Sequence, residues 1–154
     1  MERGEQEEMN IFPMRILLAT DASEEARLAT QTAIELAHNT GSELHVVHVG
    51  ETSVSPFYTH RRAEAERQGR EVLDEQVREI EDSGGNIVGA HLRVGEPEKE
   101  ILLLAQELEA GLVVVGARGK NPIQRYLVGD VAESVFRHAH CPVLVVRREE
   151  HSTR

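Results

Sequence analysis

The feature that most constrains this chain is a regular alternation of short apolar runs with longer segments whose apolar residues recur at helical spacing. The runs are RILLAT (15–20), ELHVVHV (43–49), NIVGAHLRV (86–94), LVVVG (112–116) and PVLVV (142–146). Several are apolar on both faces, as strands inside a parallel sheet are. The alternation predicts an α/β fold: a single-domain, doubly wound, five-stranded parallel sheet with helices on both faces and right-handed crossovers.

The segments between the runs carry helix signals. We expect one helix capped by Asp21 or Ser23 and ending near Gly41, and others over 61–83, from Pro97 to Gly111 and over 130–139. Residues 50–60 contain glycine, serine and proline, and they are expected to form the least regular linker.

Length and composition favour one cytoplasmic domain. The 154 residues are 40% hydrophobic and 29% charged, and no apolar run approaches the roughly 20 residues of a membrane helix. The acidic start lacks the pattern of a signal peptide, and a single cysteine allows no internal disulfide. We expect a flexible acidic leader over 1–13, the domain over 14–148 and a tail over 149–154.

Charge argues against nucleic acid and membranes as partners. The formal net charge is −10, so the molecule repels polyanions and anionic lipid surfaces. Aromatic residues are only 3% of the chain, which leaves few stacking platforms for single strands.

Two loops are predicted to meet at one cleft. In parallel α/β sheets, ligands bind at the carboxyl ends of the strands where the connection order reverses. ATDAS follows the first strand and GARG follows the fourth, which brings Asp21 and Gly116 close together. Backbone N–H groups at a glycine loop and a helix N-terminus are suited to binding a phosphate.

Four segments in order give the chain a family resemblance: RILLATDAS, HVVHV, VVVGARGK and LVGDVAESVFRHAHCPVLVV. Over about 14–148 the chain resembles the universal stress protein family. The ATP-binding branch of that family shows Gly, two residues, Gly, nine residues, Gly, then Ser or Thr. Gly116, Gly119 and Gly129 fit this spacing, and Asp130 occupies the Ser/Thr position.

The resemblance implies the strand order 3-2-1-4-5 and binding of ATP or another adenine nucleotide in some members. By position, Thr20 and Asp21 would flank the adenine and ribose, and Val49 would offer backbone groups to the base. The residues implied at the ribose and phosphates are Gly116, Arg118, Gly119, Gly129 and Val131.

Asp130 departs from the motif in a way that matters electrostatically. An ionised carboxylate can only accept hydrogen bonds, whereas Ser or Thr can donate one to a phosphate. At roughly 4 Å and an effective dielectric near 20, like unit charges repel by about 4 kcal/mol. Arg118, Lys120 and Arg125 would offset part of this repulsion, and a Mg²⁺ shared with the phosphates would reverse its sign. Asp130 also fits a helix N-cap, with Glu133 three residues on close to a capping box, and this role is compatible with a place at the phosphate site.

Other polar residues have plain structural interpretations. The three glycines alone would also fit tight turns, and Asp21 alone would fit a cap. His45 and His48 are three apart on a strand, so they face opposite sides and cannot share a metal. His138, His140 and Cys141 fall short of the four ligands of a structural zinc site.

We identify no catalytic residue, because P-loop, G-x-S-x-G and HExxH motifs are all absent from the sequence. At most, slow ATP hydrolysis with Asp21 or Asp130 as the base is compatible with it. The leading hypothesis is a nucleotide-binding regulator of the stress response, and the alternative is an interaction protein of the same fold that has lost the nucleotide because of Asp130.

Assembly is predicted from the last apolar run. An exposed apolar edge strand needs covering, so we expect a homodimer through Val143, Leu144, Val145 and Val146, as the family resemblance also implies.

Overall fold

Strands and helices alternate along the chain as the apolar pattern predicts. The structure, a computed structural model, describes residues 11–21, 23–51, 59–117 and 129–148, with the backbone alone for 59–61. The elements in these ranges are β1 Arg15–Thr20, α1 Glu24–Thr40, β2 Glu43–Gly50, α2 Thr59–Asp82, β3 Ile87–Val94, α3 Pro97–Glu107, β4 Leu112–Gly116, α4 Asp130–His138 and β5 Val143–Val146.

The strands form one parallel sheet in the order β3-β2-β1-β4-β5. This confirms the predicted fold class and strand order. The central strand β1 pairs with β2 from Arg15 opposite Glu43 and with β4 from Ile16 opposite Leu112.

Two helical layers explain why β1 is apolar on both faces. Ile16 and Leu18 pack with residues of α1 and α2, whereas Leu17 packs with residues of α3 and α4. All three side chains are fully buried. The core therefore lies on both sides of the sheet, with β1 at its centre.

A side-chain cap and a left-handed glycine explain where α1 begins and ends. The Ser23 hydroxyl accepts from the Ala26 N–H at 3.1 Å and caps α1, and Gly41 ends α1 with φ of +67°. The prediction that Gly111 ends α3 was wrong. That helix ends at Glu107, and Glu109 takes the left-handed conformation with φ of +50°.

The strand order creates a crevice beside β1. The chain leaves β1 for β2 on one side and returns through α3 to β4 on the other, so the connections diverge at the carboxyl ends of β1 and β4. None of the helices in the described ranges is long and apolar enough to cross a membrane.

Candidate functional site

A cavity of about 490 Å³ occupies this crevice. It is within the range of roughly 300–1,000 Å³ typical of small-molecule sites. Its inner wall is apolar and includes Ala19, Val47, Val49, Ile101 and Val115. The cavity therefore offers a surface suited to a flat apolar group such as a nucleobase.

Strand length leaves part of β2 open to the cavity. The pairing of β1 with β2 ends at Thr20 opposite His48, whereas β2 continues to Gly50. The last residues of β2, including Val49, consequently have no β1 residue beside them. This is the position at which the family resemblance implies that Val49 offers backbone groups to a base.

Thr20 lies at the cavity, but its side chain is engaged elsewhere. The hydroxyl is buried and donates to the Gln76 side-chain oxygen of α2, with the Val47 carbonyl 3.4 Å away. The Thr20 carbonyl accepts from His48 Nδ1 at 3.2 Å. These contacts hold the end of β1 against β2 and α2.

Asp21 is exposed on the cavity rim and organises the turn into α1. Its Oδ1 accepts the Ser23 N–H at 2.9 Å, while the cap of α1 is Ser23 itself. Of the two alternatives that the sequence leaves open for this cap, the structure selects Ser23.

Gly116 is required by helix packing. A Cβ atom at this position would lie 2.8 Å from the Glu25 carbonyl carbon and 2.9 Å from its oxygen. Both are backbone atoms of α1, so no rotamer change relieves the contact. The glycine lets β4 end close to α1, and it also lines the cavity.

The N-terminus of α4 lies on the cavity rim without a side-chain cap. The prediction that Asp130 is the N-cap was wrong: Gly129 is the N-cap and Asp130 is the first helical residue. Glu133 pairs with Arg137 at 2.8 Å and completes no capping box. Because the Glu133 N–H makes the first bond back to Gly129, the N–H groups of the three preceding residues have no intrahelical acceptor.

The charge on the described rim is negative. Asp21, Glu51 and Asp130 line the cavity, and none of its described lining residues is a lysine, arginine or histidine. The predicted site residues Arg118 and Gly119, like Lys120 and Arg125, lie outside the residues that the structure describes. Within the described ranges, no group of three or more His, Cys, Asp or Glu side chains is placed to hold a metal ion.

Sequence reasoning missed Gln76 and Glu51. Gln76 is buried on the face of α2 that also carries Leu73 and Ile80. A polar residue within such an apolar stripe is a usable signal, because a buried amide needs a partner. Glu51 lines the cavity and directly follows β2. Because ligands bind at the carboxyl ends of parallel strands, the reasoning that identified the loops after β1 and β4 would also have identified Glu51.

Comparison with known proteins gives the family. Residues 14–147 match the model of the universal stress protein family. A universal stress protein of Methanocaldococcus jannaschii is 33% identical over 143 residues, covering 87% of this chain and 82% of that protein.

Solved structures agree. The universal stress protein UspA from Lactobacillus plantarum superimposes with a TM-score of 0.71 at 26% identity, covering 86% of this chain and 97% of that one. The universal stress protein from Archaeoglobus fulgidus in complex with dAMP gives 0.65 at 28% identity, covering 87% and 98%. The chain belongs to the universal stress protein family.

Proposed function

We propose that this protein binds an adenine nucleotide in the cavity beside β1 and acts in the cytoplasm as a nucleotide-responsive regulator of the stress response. The observation that carries the proposal is one cavity combining an apolar inner wall with an uncapped helix N-terminus on its rim. A base suits the wall, and a phosphate suits the first-turn N–H groups of α4, which have no acceptor within the helix. The dAMP complex of the Archaeoglobus fulgidus protein supports an adenine nucleotide as the ligand class.

Filling the cavity tests this proposal. Ala19 lies on the inner wall, and Ala19→Leu would occupy space that the ligand needs. Calorimetric titration with AMP should give saturable binding to the wild type and at least about tenfold weaker binding to Ala19→Leu. Ala63→Leu, at an exposed position on α2, is the matched control and should bind as the wild type does.

Two results would contradict the proposal. Unchanged binding by Ala19→Leu, with folding verified by circular dichroism, would place the nucleotide elsewhere. The absence of heat with AMP, ADP and ATP would favour the alternative of a nucleotide-free interaction protein. The acidic rim formed by Asp21, Glu51 and Asp130 is the observation that motivates that alternative.

A further inference from the structure

A second concavity crosses the edge of β3 between α2 and α3. This groove has a volume of about 810 Å³, and in the sheet formed by the described residues β3 has a neighbouring strand on one side only. Leu92 and Arg93 both line the groove, although their side chains point to opposite sides of the sheet. Leu92 packs into the core beside α2, and Arg93 pairs with Glu107 of α3. The groove therefore runs over the edge of the strand and not along one face.

The edge presents backbone groups to this groove. The Gly95 N–H donates to the Gly50 carbonyl of β2 at 3.0 Å. In a trans peptide the carbonyl points opposite to the N–H, so the Val94 carbonyl points away from β2. A strand residue directs its N–H and C=O groups to the same side, and successive residues alternate, so Leu92 and Val94 both present these groups at the edge. Such groups are a template for one further strand.

The groove is cationic although the molecule is acidic. Four arginines and two glutamates line it, whereas the whole chain carries a formal net charge of −10. The arginines are Arg62, Arg67, Arg70 and Arg93. Arg62 and Arg93 are paired with glutamates, but none of the ion pairs among the described residues includes Arg67 or Arg70. These two guanidinium groups are therefore available to carboxylates of another molecule.

Gly69 brings these two arginines beside the edge. A Cβ atom at this glycine would lie 2.8 Å from Leu92 Cδ1, so the glycine lets α2 pack close to β3. Arg67 and Arg70 are exposed and three residues apart, so they are neighbours on the surface of α2. On the α3 side of the same groove, Leu103 is 42% exposed. The edge thus has positive charge on one side and an apolar side chain on the other.

We propose that the edge of β3 binds an acidic, extended segment of a partner protein as an added strand. Side chains of an added strand alternate between the two faces of the sheet. Carboxylates on the α2 side would meet Arg67 and Arg70, and apolar side chains on the α3 side would cover Leu103. A nucleic acid cannot pair with a strand edge and is repelled by the net charge, so a peptide is the favoured anion. The inference does not depend on nucleotide binding in the cavity beside β1.

The experiment is fluorescence anisotropy with a labelled, amidated peptide in which glutamate and valine alternate. The wild type should bind this peptide saturably, and at least about tenfold more tightly than the same peptide with lysine in place of glutamate. Combining Arg67→Gln with Arg70→Gln should weaken binding of the glutamate peptide at least about tenfold. Each ion pair at about 4 Å contributes roughly fivefold even in bulk water.

A matched control makes the same change in net charge elsewhere. Arg27→Gln combined with Arg78→Gln removes two arginines from exposed positions on α1 and α2, outside the groove lining. This double variant should bind the peptide as the wild type does. Circular dichroism of both double variants verifies that they are folded.

Backbone methylation of the peptide separates strand addition from attraction by charge alone. In an added strand, only alternate residues direct their N–H groups to β3. One peptide is methylated at the backbone nitrogens of its glutamates and a second at those of its valines, so both keep the same charge. Only one of the two should lose binding to the wild type.

Four results would overturn the inference. They are no binding of the glutamate and valine peptide, equal weakening by the two double variants, equal binding of the two methylated peptides, and tighter binding of a short oligothymidylate than of the peptide. The last result would assign the arginines to nucleic acid. None of these results bears on AMP binding in the cavity, which the Ala19→Leu titration tests separately.

Discussion

His45 Nδ1 on β2 lies 3.3 Å from His91 Nε2 on β3, with the ring centroids 5.6 Å apart. The far nitrogen of His45 lies 3.3 Å from a carboxylate oxygen of Glu43. The pairing of β2 with β3 is irregular at this point: Leu44 pairs with Ile87, whereas His45 pairs with Gly89. His48, three residues further along β2, does not join this pair and instead contacts the Thr20 carbonyl.

The contact between the rings depends on their protonation. When both imidazoles are neutral, His45 donates to Glu43 and accepts at Nδ1 from the Nε2–H of His91. When both are protonated, two N–H groups face each other. Burial first, and then the charges of His45 and Arg93, lower the pKa of His91, while Glu107 opposes this shift.

The lowered pKa of His91 predicts a loss of stability in acid. Between the folded pKa and the unfolded value of about 6.5, the unfolded chain binds more protons, so stability rises with pH in this window. The His91 contribution is therefore fully present above about pH 6.5 and is lost as the pH falls through the folded pKa. Urea unfolding from pH 8 to pH 5 should show this decline, and His91→Gln should flatten it.

A control isolates the effect of burial. His38 is exposed in the last turn of α1, so His38→Gln should retain the acid decline of the wild type. Hydrogen bonding from His45 is the main cause that lowers the pKa of Glu43, whose contribution is lost only at lower pH. An unaltered decline in His91→Gln would show that another group titrates.

Gly89 makes room for the two rings. A Cβ atom there would lie 2.7 Å from His45 Nδ1 and 2.9 Å from His91 Nε2. Gly89→Ala should reduce the free energy of unfolding by about 1–3 kcal/mol because the rings must shift. In the His91→Ala background one ring is absent, so the same substitution should have a smaller effect in urea titration. Equal effects in both backgrounds would rule out crowding against His91 and leave His45 as the group that a Cβ meets.

Gly116→Ala tests whether packing alone requires this glycine. The new Cβ would contact the Glu25 backbone, which can move only with the start of α1. We expect a loss of about 1–3 kcal/mol in guanidinium unfolding of the nucleotide-free protein. Unchanged stability combined with weaker AMP binding would instead assign the glycine to the ligand.

The buried hydrogen bond between Thr20 and Gln76 should show energetic coupling. Thr20→Val leaves the Gln76 amide without this partner in a buried position, which costs about 1–3 kcal/mol. Adding Gln76→Leu removes the orphaned group, so the double variant should lose less than the sum of the single losses. A double-mutant cycle in urea measures the coupling, and strict additivity would show that the two side chains act independently.

The sequence was most informative where a local signal matched the fold. The central strands are apolar on both faces because two helical layers bury them, and Gly41 ends a helix because it takes a left-handed conformation. Contacts between distant residues left no comparable signal. Thr20 and Gln76 are 56 residues apart and His45 and His91 are 46 apart, so only the folded chain shows these partnerships.

The caps show a finer limit of sequence reasoning. DVAE contains the residue types of a capping box, in which Asp130 would be the N-cap. The N-cap is instead Gly129, one residue earlier, and Asp130 is the first residue of the helix. Propensity for the N-cap and preference for a negative charge in the first turn both favour Asp, so they cannot distinguish these adjacent positions.

We still predict a homodimer through β5, which is an edge strand of the sheet formed by the described residues. β5 pairs with β4, and Leu144 on it is 36% exposed. Placing a charge there should prevent burial against a second copy, so Leu144→Lys should be monomeric at micromolar concentration, whereas the wild type should be dimeric by light scattering. Val88→Lys, on the opposite edge strand β3 with Val88 56% exposed, is the matched control and should remain dimeric. A monomeric wild type would contradict the predicted dimer, and dissociation by Val88→Lys alone would move the interface to β3.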